Sequence, residues 1–223
     1  MLRLPILCLL IASTLVSALP AQAQGGCGSS AYAYAGVQTQ RAVYGAGATI
    51  TALAAPDVKD GHVAGWVGVA AKNGEAWIQM GVSAHPGDRS NSVYLEFAQP
   101  NRDPRYIVLR TAVPVGERHR VAVTELANRP GWWRAWLDGA PVDRPVFLPG
   151  SHGHWRAQVM GESWNDNSGA CNRYAYAFHS VALAPAPDRL WRRLGGVSSS
   201  WDAGYSLIWN SSSDFVASTL AGR

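Results

Sequence analysis

Between Glu75 and Val82 the chain alternates strictly. Ala76, Ile78, Met80 and Val82 form one stripe, and Glu75, Trp77, Gln79 and Gly81 form the other. Successive side chains of a strand point to opposite faces, so a period of two admits a strand and disfavours an amphipathic helix. The alternation recurs along the chain, broken by turn residues about every eight to twelve positions, as in a sandwich or barrel of short antiparallel strands. Strands are predicted at Thr49–Leu53, Ala64–Ala71, Glu75–Val82, Ser92–Ala98, Tyr106–Thr111, Arg120–Leu126, Trp132–Leu137, Trp155–Trp164 and Arg173–Ala182. Gly204–Asn210 and Asp214–Ser218 add one or two more, and Asp188–Leu194 can form a short helix. Asn73-Gly74 and Asp138-Gly139 carry the strongest short hairpin signal. The serine clusters at Ser198–Ser200 and Ser211–Ser213 read as loop.

The N-terminus reads as an export signal. Arg3 precedes a predominantly apolar run from Leu4 to Leu19, which breaks at Pro20 and ends in the small-x-small triplet Ala21-Gln22-Ala23. The run is too short for a membrane span, and no later stretch reaches the roughly 20 apolar residues a spanning helix needs. Residues 1–23 are thus expected to be a signal peptide, 24–184 a β-sandwich domain, and 185–223 a C-terminal extension completing the sandwich. The mature chain is expected to be secreted (extracellular or periplasmic), free of membrane and monomeric. Cys8 leaves with the signal, and Cys27 and Cys171 remain as an even pair in an oxidising compartment, so a disulfide is the default reading. Such a long closed loop stabilises by about 3–5 kcal/mol in the chain-entropy model. A lipid-anchored Cys27 is the minor alternative. Lys and Arg number 19 against 15 Asp and Glu, a net charge of +4. The basic residues are spread along the chain, apart from Arg189 with Arg192-Arg193, and no nucleic-acid partner is expected.

The same periodicity sorts the other strands. Val67 and Val69 face inward while Trp66 looks out, and Val93, Leu95 and Phe97 leave Tyr94 and Glu96 opposite them. Ala157 and Val159 are inside, so Gln158, Met160, Glu162 and Trp164 share the other face. The non-core face therefore collects Trp66, Trp77, Gln79, Tyr94, Glu96, Glu162 and Trp164. Aromatics with a few carboxylates and amides suit a binding cleft better than a solvated sheet face. The bland alternative is that a second layer or the C-terminal tail covers these aromatics. Strand order does not follow from the pattern.

Four segments in order carry a resemblance: Gly65-Trp66-Val67-Gly68-Val69, Trp77-Ile78-Gln79-Met80-Gly81, Tyr94-Leu95-Glu96-Phe97 and Gln158-Val159-Met160-Gly161-Glu162. They resemble the core motifs of the glutamic peptidases (the eqolisins), over roughly Val63 to Ser163. The resemblance implies an all-β fold, a concanavalin A-like sandwich (jelly roll) of two curved antiparallel sheets with the active site on the concave face. It implies Gln79 and Glu162 as the catalytic pair, with Glu96 and Trp66 supporting them. The chemistry it implies is acid-favoured peptide hydrolysis without a covalent intermediate. Glu162 serves as general base and then acid, and the Gln79 amide donates to the oxyanion. Trp77, Tyr94 and Trp164 complete the substrate-binding face, the substrate being a polypeptide and no cofactor being required. Ala70 stands where the family usually carries an aspartate, which removes one hydrogen-bonding partner. The bridge and the basic balance also differ from typical members.

Other constellations are weaker. His152-Gly153-His154 lacks a third ligand at diagnostic spacing, and Asp57, Asp60, Asn165 and Asp166 lack the regular spacing of a calcium loop, so no metal is expected. Glu96 and Glu162 are a candidate glycosidase pair, but the close two-glutamate motif of sandwich-fold glycosidases is absent. The segment from Trp132 to Gly139 resembles the strand and turn of lectin- and laminin-like sandwiches. Exposed tryptophans also stack on sugars. The competing function is therefore a non-catalytic sandwich that binds polysaccharide or a protein surface through the tryptophan-rich face.

Overall fold

The computed structural model describes residues 32–187 and 191–220; the expected signal peptide and Cys27 lie outside them. Fifteen strands follow one another in the described residues: β1 (Tyr32–Ala42), β2 (Gly45–Ala52), β3 (His62–Ala70), β4 (Trp77–Ala84), β5 (Asn91–Ala98), β6 (Arg105–Val113), β7 (Arg118–Glu125), β8 (Trp132–Leu137), β9 (Ala140–Phe147), β10 (Arg156–Trp164), β11 (Ala175–Ala184), β12 (Arg192–Arg193), β13 (Val197–Trp201), β14 (Tyr205–Trp209) and β15 (Phe215–Thr219). They build two antiparallel sheets, one ordered β13-β1-β10-β3-β4-β5-β6 and the other β14-β15-β11-β2-β7-β8-β9, with β12 beside β11. This is the expected concanavalin A-like sandwich.

The core lies between the sheets and is filled by the inward stripe of each strand. Val67 and Val69, Ile78, Met80 and Val82, Val93 and Leu95, and Ala157 and Val159 come from the first sheet. Ile50, Val121, Val123, Trp133, Tyr176 and Phe178 meet them from the second. Burying one such side chain contributes about 1.5–3 kcal/mol. The indole N–H of fully buried Trp133 donates to Ser151 Oγ at 2.8 Å, so its polar atom is satisfied.

Sequence expectations and structure part at identifiable places. β1 was not predicted, because its inward row of Ala33, Ala35 and Val37 is too small to stand out. β9 was missed because Pro141 and Pro145 interrupt it, and it is an edge strand, where proline is tolerated. Ser198–Ser200, read as loop, belongs to β13, which pairs with β1. The described part of the expected helix is extended instead, with Arg192 and Arg193 paired to Leu183 and Ala182 of β11. Asp138 and Gly139 form a two-residue turn with φ of 51° and 85°, the left-handed pair a type I′ hairpin requires. Asn73-Gly74 lies in a longer connection, which also holds Glu75 rather than leaving it on β4.

In the first sheet the register runs Met160 opposite Trp66 and Trp66 opposite Gly81, and a glycine is needed at this last point. A Cβ on Gly81 meets the Gly65 carbonyl oxygen at 2.1 Å and the Trp66 Cα at 2.7 Å. These are backbone atoms that cannot turn aside. Gly81→Ala is therefore expected to destabilise the protein by about 1–3 kcal/mol or more. An unchanged urea midpoint would show that this close approach does not constrain the sheet.

Candidate active site

The four motif strands are neighbours: β10, β3, β4 and β5 lie side by side in the first sheet. Their outward rows therefore form one surface. Ala64, Trp66, Tyr94 and Met160 pack there as a small apolar cluster separate from the main core, with Tyr34 of β1 against it. A cleft of about 600 Å³ opens on this face. Trp66, Trp77, Gln79, Glu96 and Glu162 line it, and Tyr32, Tyr34 and His62 close one side. Ser200, Trp201 and Asp202 come from the C-terminal part of the chain, which borders the cleft.

Glu162 is 5% exposed, and both of its carboxylate oxygens have partners. The Trp66 indole N–H donates to Oε2 at 2.9 Å, and His62 Nε2 lies 2.8 Å from Oε1. A buried carboxylate without such partners is costly, so the two bonds are a condition of its placement. Gln79, 8% exposed, is fixed separately. Its Nε2 donates to Glu96 Oε2 at 2.8 Å and to the Tyr94 hydroxyl at 3.2 Å. In register, Glu162 faces Ala64 whereas Gln79 faces Gly68, and β3 runs between them. Four residues along a strand span roughly 13 Å, and both side chains line the one cleft from either side of β3.

Burial first, and then the charge of Glu162, pushes the Glu96 carboxyl up from its usual range. The Gln79 hydrogen bond and His62 pull it partly back. The charge of Glu162 is therefore felt at Glu96, the carboxyl that holds Gln79. Burial and then the Glu162 charge also raise the Tyr34 and Tyr94 phenols, which stay protonated.

Not every expected residue lines the cleft. Tyr94 is buried beneath it, stacked on Tyr106 with ring centroids 5.1 Å apart, and reaches the site through Gln79. Trp164 sits at one end, packed on Tyr32 and His62 at 5.9 and 5.4 Å. Ala70 lines the wall beside Trp77, its cross-strand partner. His152, weighed above as a metal ligand, instead places Nδ1 3.1 Å from Glu125. Of the expected disulfide, Cys27 lies outside the described residues.

Sequence reading missed His62 and Tyr34. His62 has the same strand parity as Trp66 and stands opposite Trp164, while Tyr34 stands opposite Glu162. Parity along β3 was signal enough for His62, had the strand been extended two residues upstream. Tyr34 required β1 itself.

No protein-family model matches the sequence, and no curated protein is significantly similar to it. Solved structures do share its fold. A scytalido-glutamic peptidase bound to a transition-state analogue inhibitor has a TM-score of 0.62 at 15% identity, over 84% of this chain and 98% of the other. The same peptidase with a peptide-based analogue matches at 0.62 and 16%, over the same shares. SCP-B, a member of the eqolisin family in complex with the tripeptide Ala-Ile-His, matches at 0.60 and 16%, again over 84% and 98%. The chain thus has the glutamic-peptidase fold.

The raised Glu96 makes a signed prediction. A carboxyl whose folded pKa lies above its unfolded value contributes stability that is full below the unfolded value and lost as pH rises through the folded one. Glu96→Gln keeps an acceptor for Gln79 but cannot ionise. Its stability relative to wild type is expected to increase between pH 4 and pH 7 in urea unfolding. A difference that stays constant or shrinks contradicts the burial assigned to Glu96.

Proposed function

We propose that this protein is a secreted, acid-acting endopeptidase of the glutamic type, with Glu162 and Gln79 as its catalytic pair. One observation carries the reading. A buried carboxylate held by an indole N–H and a neutral amide held by a second carboxylate share one cleft, on the fold of the glutamic peptidases.

In the proposed reaction Glu162 accepts a proton from a water as its oxygen bonds to the scissile carbonyl carbon. The carbonyl π pair moves onto oxygen, and the amide N–H of Gln79 stabilises that charge. The longer of Gln79's two bonds, to Tyr94 at 3.2 Å, is the one exchanged for the oxyanion. Glu96 keeps the shorter bond and so holds the amide nitrogen in place. The oxyanion pair then re-forms the C=O bond as the C–N bond breaks, its electron pair goes to nitrogen, and Glu162 returns the proton to the leaving amine. Trp77 and the 58% exposed Trp201 flank the cleft as surfaces for substrate side chains. The same reading removes the leader after Ala23, bridges Cys27 to Cys171, and keeps the mature chain outside the cytoplasm.

Hydrolysis of a denatured protein from pH 2 to pH 7 tests it. Glu162→Gln is expected to lower kcat by about 10²–10⁴-fold, the worth of a positioned acid-base group. Gln79→Ala is expected to lower it by about 10²–10³-fold, as for loss of an oxyanion donor. An unaltered rate in either folded variant sinks the assignment. No cleavage by folded wild type transfers the cleft to the competing role, polysaccharide binding on its tryptophans.

A further inference from the structure

His62 is unused in the scheme above, yet it makes the shorter of the two bonds to Glu162. We propose that His62 is a positioning residue whose positive charge holds Glu162 in place and sets the upper pH limit of the reaction. The catalytic half of this proposal rests on the peptidase reading; the ion pair does not.

An ionised carboxylate only accepts hydrogen bonds, so His62 Nε2 must carry the hydrogen when Glu162 is charged. The contact is 2.8 Å long, and the side chains are 22% and 7% exposed. Solvent therefore screens the pair less than it screens a surface ion pair. Geometry on the imidazole's other sides keeps the ring from swinging away. Trp164 packs on it at 5.4 Å, Tyr32 meets it edge-on at 6.4 Å, and His85 lies 5.9 Å away. The titratable groups facing it are thus Glu162 from β10, Tyr32 from β1 and His85 beyond β4, with the charge of Glu96 on β5 also in reach.

The cleft needs a positive charge. Two carboxyl groups, Glu96 and Glu162, line it, and the reaction moves the negative charge of Glu162 out onto the oxyanion. Lys72, also on the lining, is exposed. An imidazole changes charge between about pH 5 and 8. With the ring protonated the pair is imidazolium and carboxylate, and the oxyanion forms beside a partly neutralised cleft. From a neutral ring the hydrogen bond can persist, but the compensating charge is gone. His62 itself takes no proton from water and gives none to the amine.

Two measurements separate charge from shape. First, kcat/KM is followed from pH 3 to 8 for wild type and His62→Gln, whose amide can still donate to Glu162. Wild-type activity is expected to fall as pH rises through the imidazole window. The variant is expected to be about tenfold slower at pH 4 and to lose that fall. A variant slowed equally at every pH overturns the electrostatic role. Second, urea unfolding of wild type, His62→Gln, Glu162→Gln and the double variant gives the pair's coupling without any activity. A coupling of at least about threefold in the unfolding constant is expected at pH 5, and none at pH 8. Equal coupling at both pH values overturns the charged pair. If wild type hydrolyses nothing, the peptidase reading and the catalytic role of His62 both fall, while the ion pair is decided by the unfolding data.

Discussion

Register is the constraint on which this structure depends. Slipping β3 by one residue against β10 would turn Trp66 and His62 into the core and Val67 and Val69 onto the cleft. It would also carry Trp66 away from Gly81, the one partner with no Cβ to collide with it. The apolar rows on the inner face fix the register because burying them outweighs any alternative pairing. The polar rows then have no choice of position: the same pleat that buries Ile78 and Met80 delivers Gln79 to the cleft wall. Core formation and site formation are a single event here.

The polar groups delivered in this way could not stand alone. Glu162 and Gln79 are nearly buried, so each needs partners, and each has its own set. Glu162 is tied to β3 through Trp66 and His62, and Gln79 to β5 through Glu96 and Tyr94. The two anchors leave the carboxylate and the amide independently fixed around a shared space, as a preorganised site for a developing charge requires. The cost appears at Glu96, which burial and the charge of Glu162 push toward its neutral form.

Much of the cleft was legible because period-two alternation assigns a face without any knowledge of strand order. Trp66, Trp77, Gln79, Glu96 and Glu162 were placed on one face before the adjacency of β10, β3, β4 and β5 was known. Illegible features had physical reasons. An alanine-rich inner row hid β1 and with it Tyr34. Prolines hid the edge strand β9, and a run of serines hid β13, whose end brings Trp201 to the rim. Tyr94 and Trp164 show the limit of parity: it gives the face of a residue but not its depth, so one lies beneath the cleft and the other at its end.

The central claim is that Glu162 and Gln79 act on the two oxygens of one tetrahedral centre, Glu162 on the water oxygen and Gln79 on the carbonyl oxygen. A crystal structure with a bound peptide carrying a geminal diol in place of the scissile carbonyl tests it most directly. One hydroxyl is predicted to lie within about 2.6–3.2 Å of the Glu162 carboxylate and the other within that distance of the Gln79 amide nitrogen, with Glu96 still holding Gln79. A peptide bound with its diol away from either group, or Gln79 still bonded to Tyr94 and making no contact with it, would contradict the account.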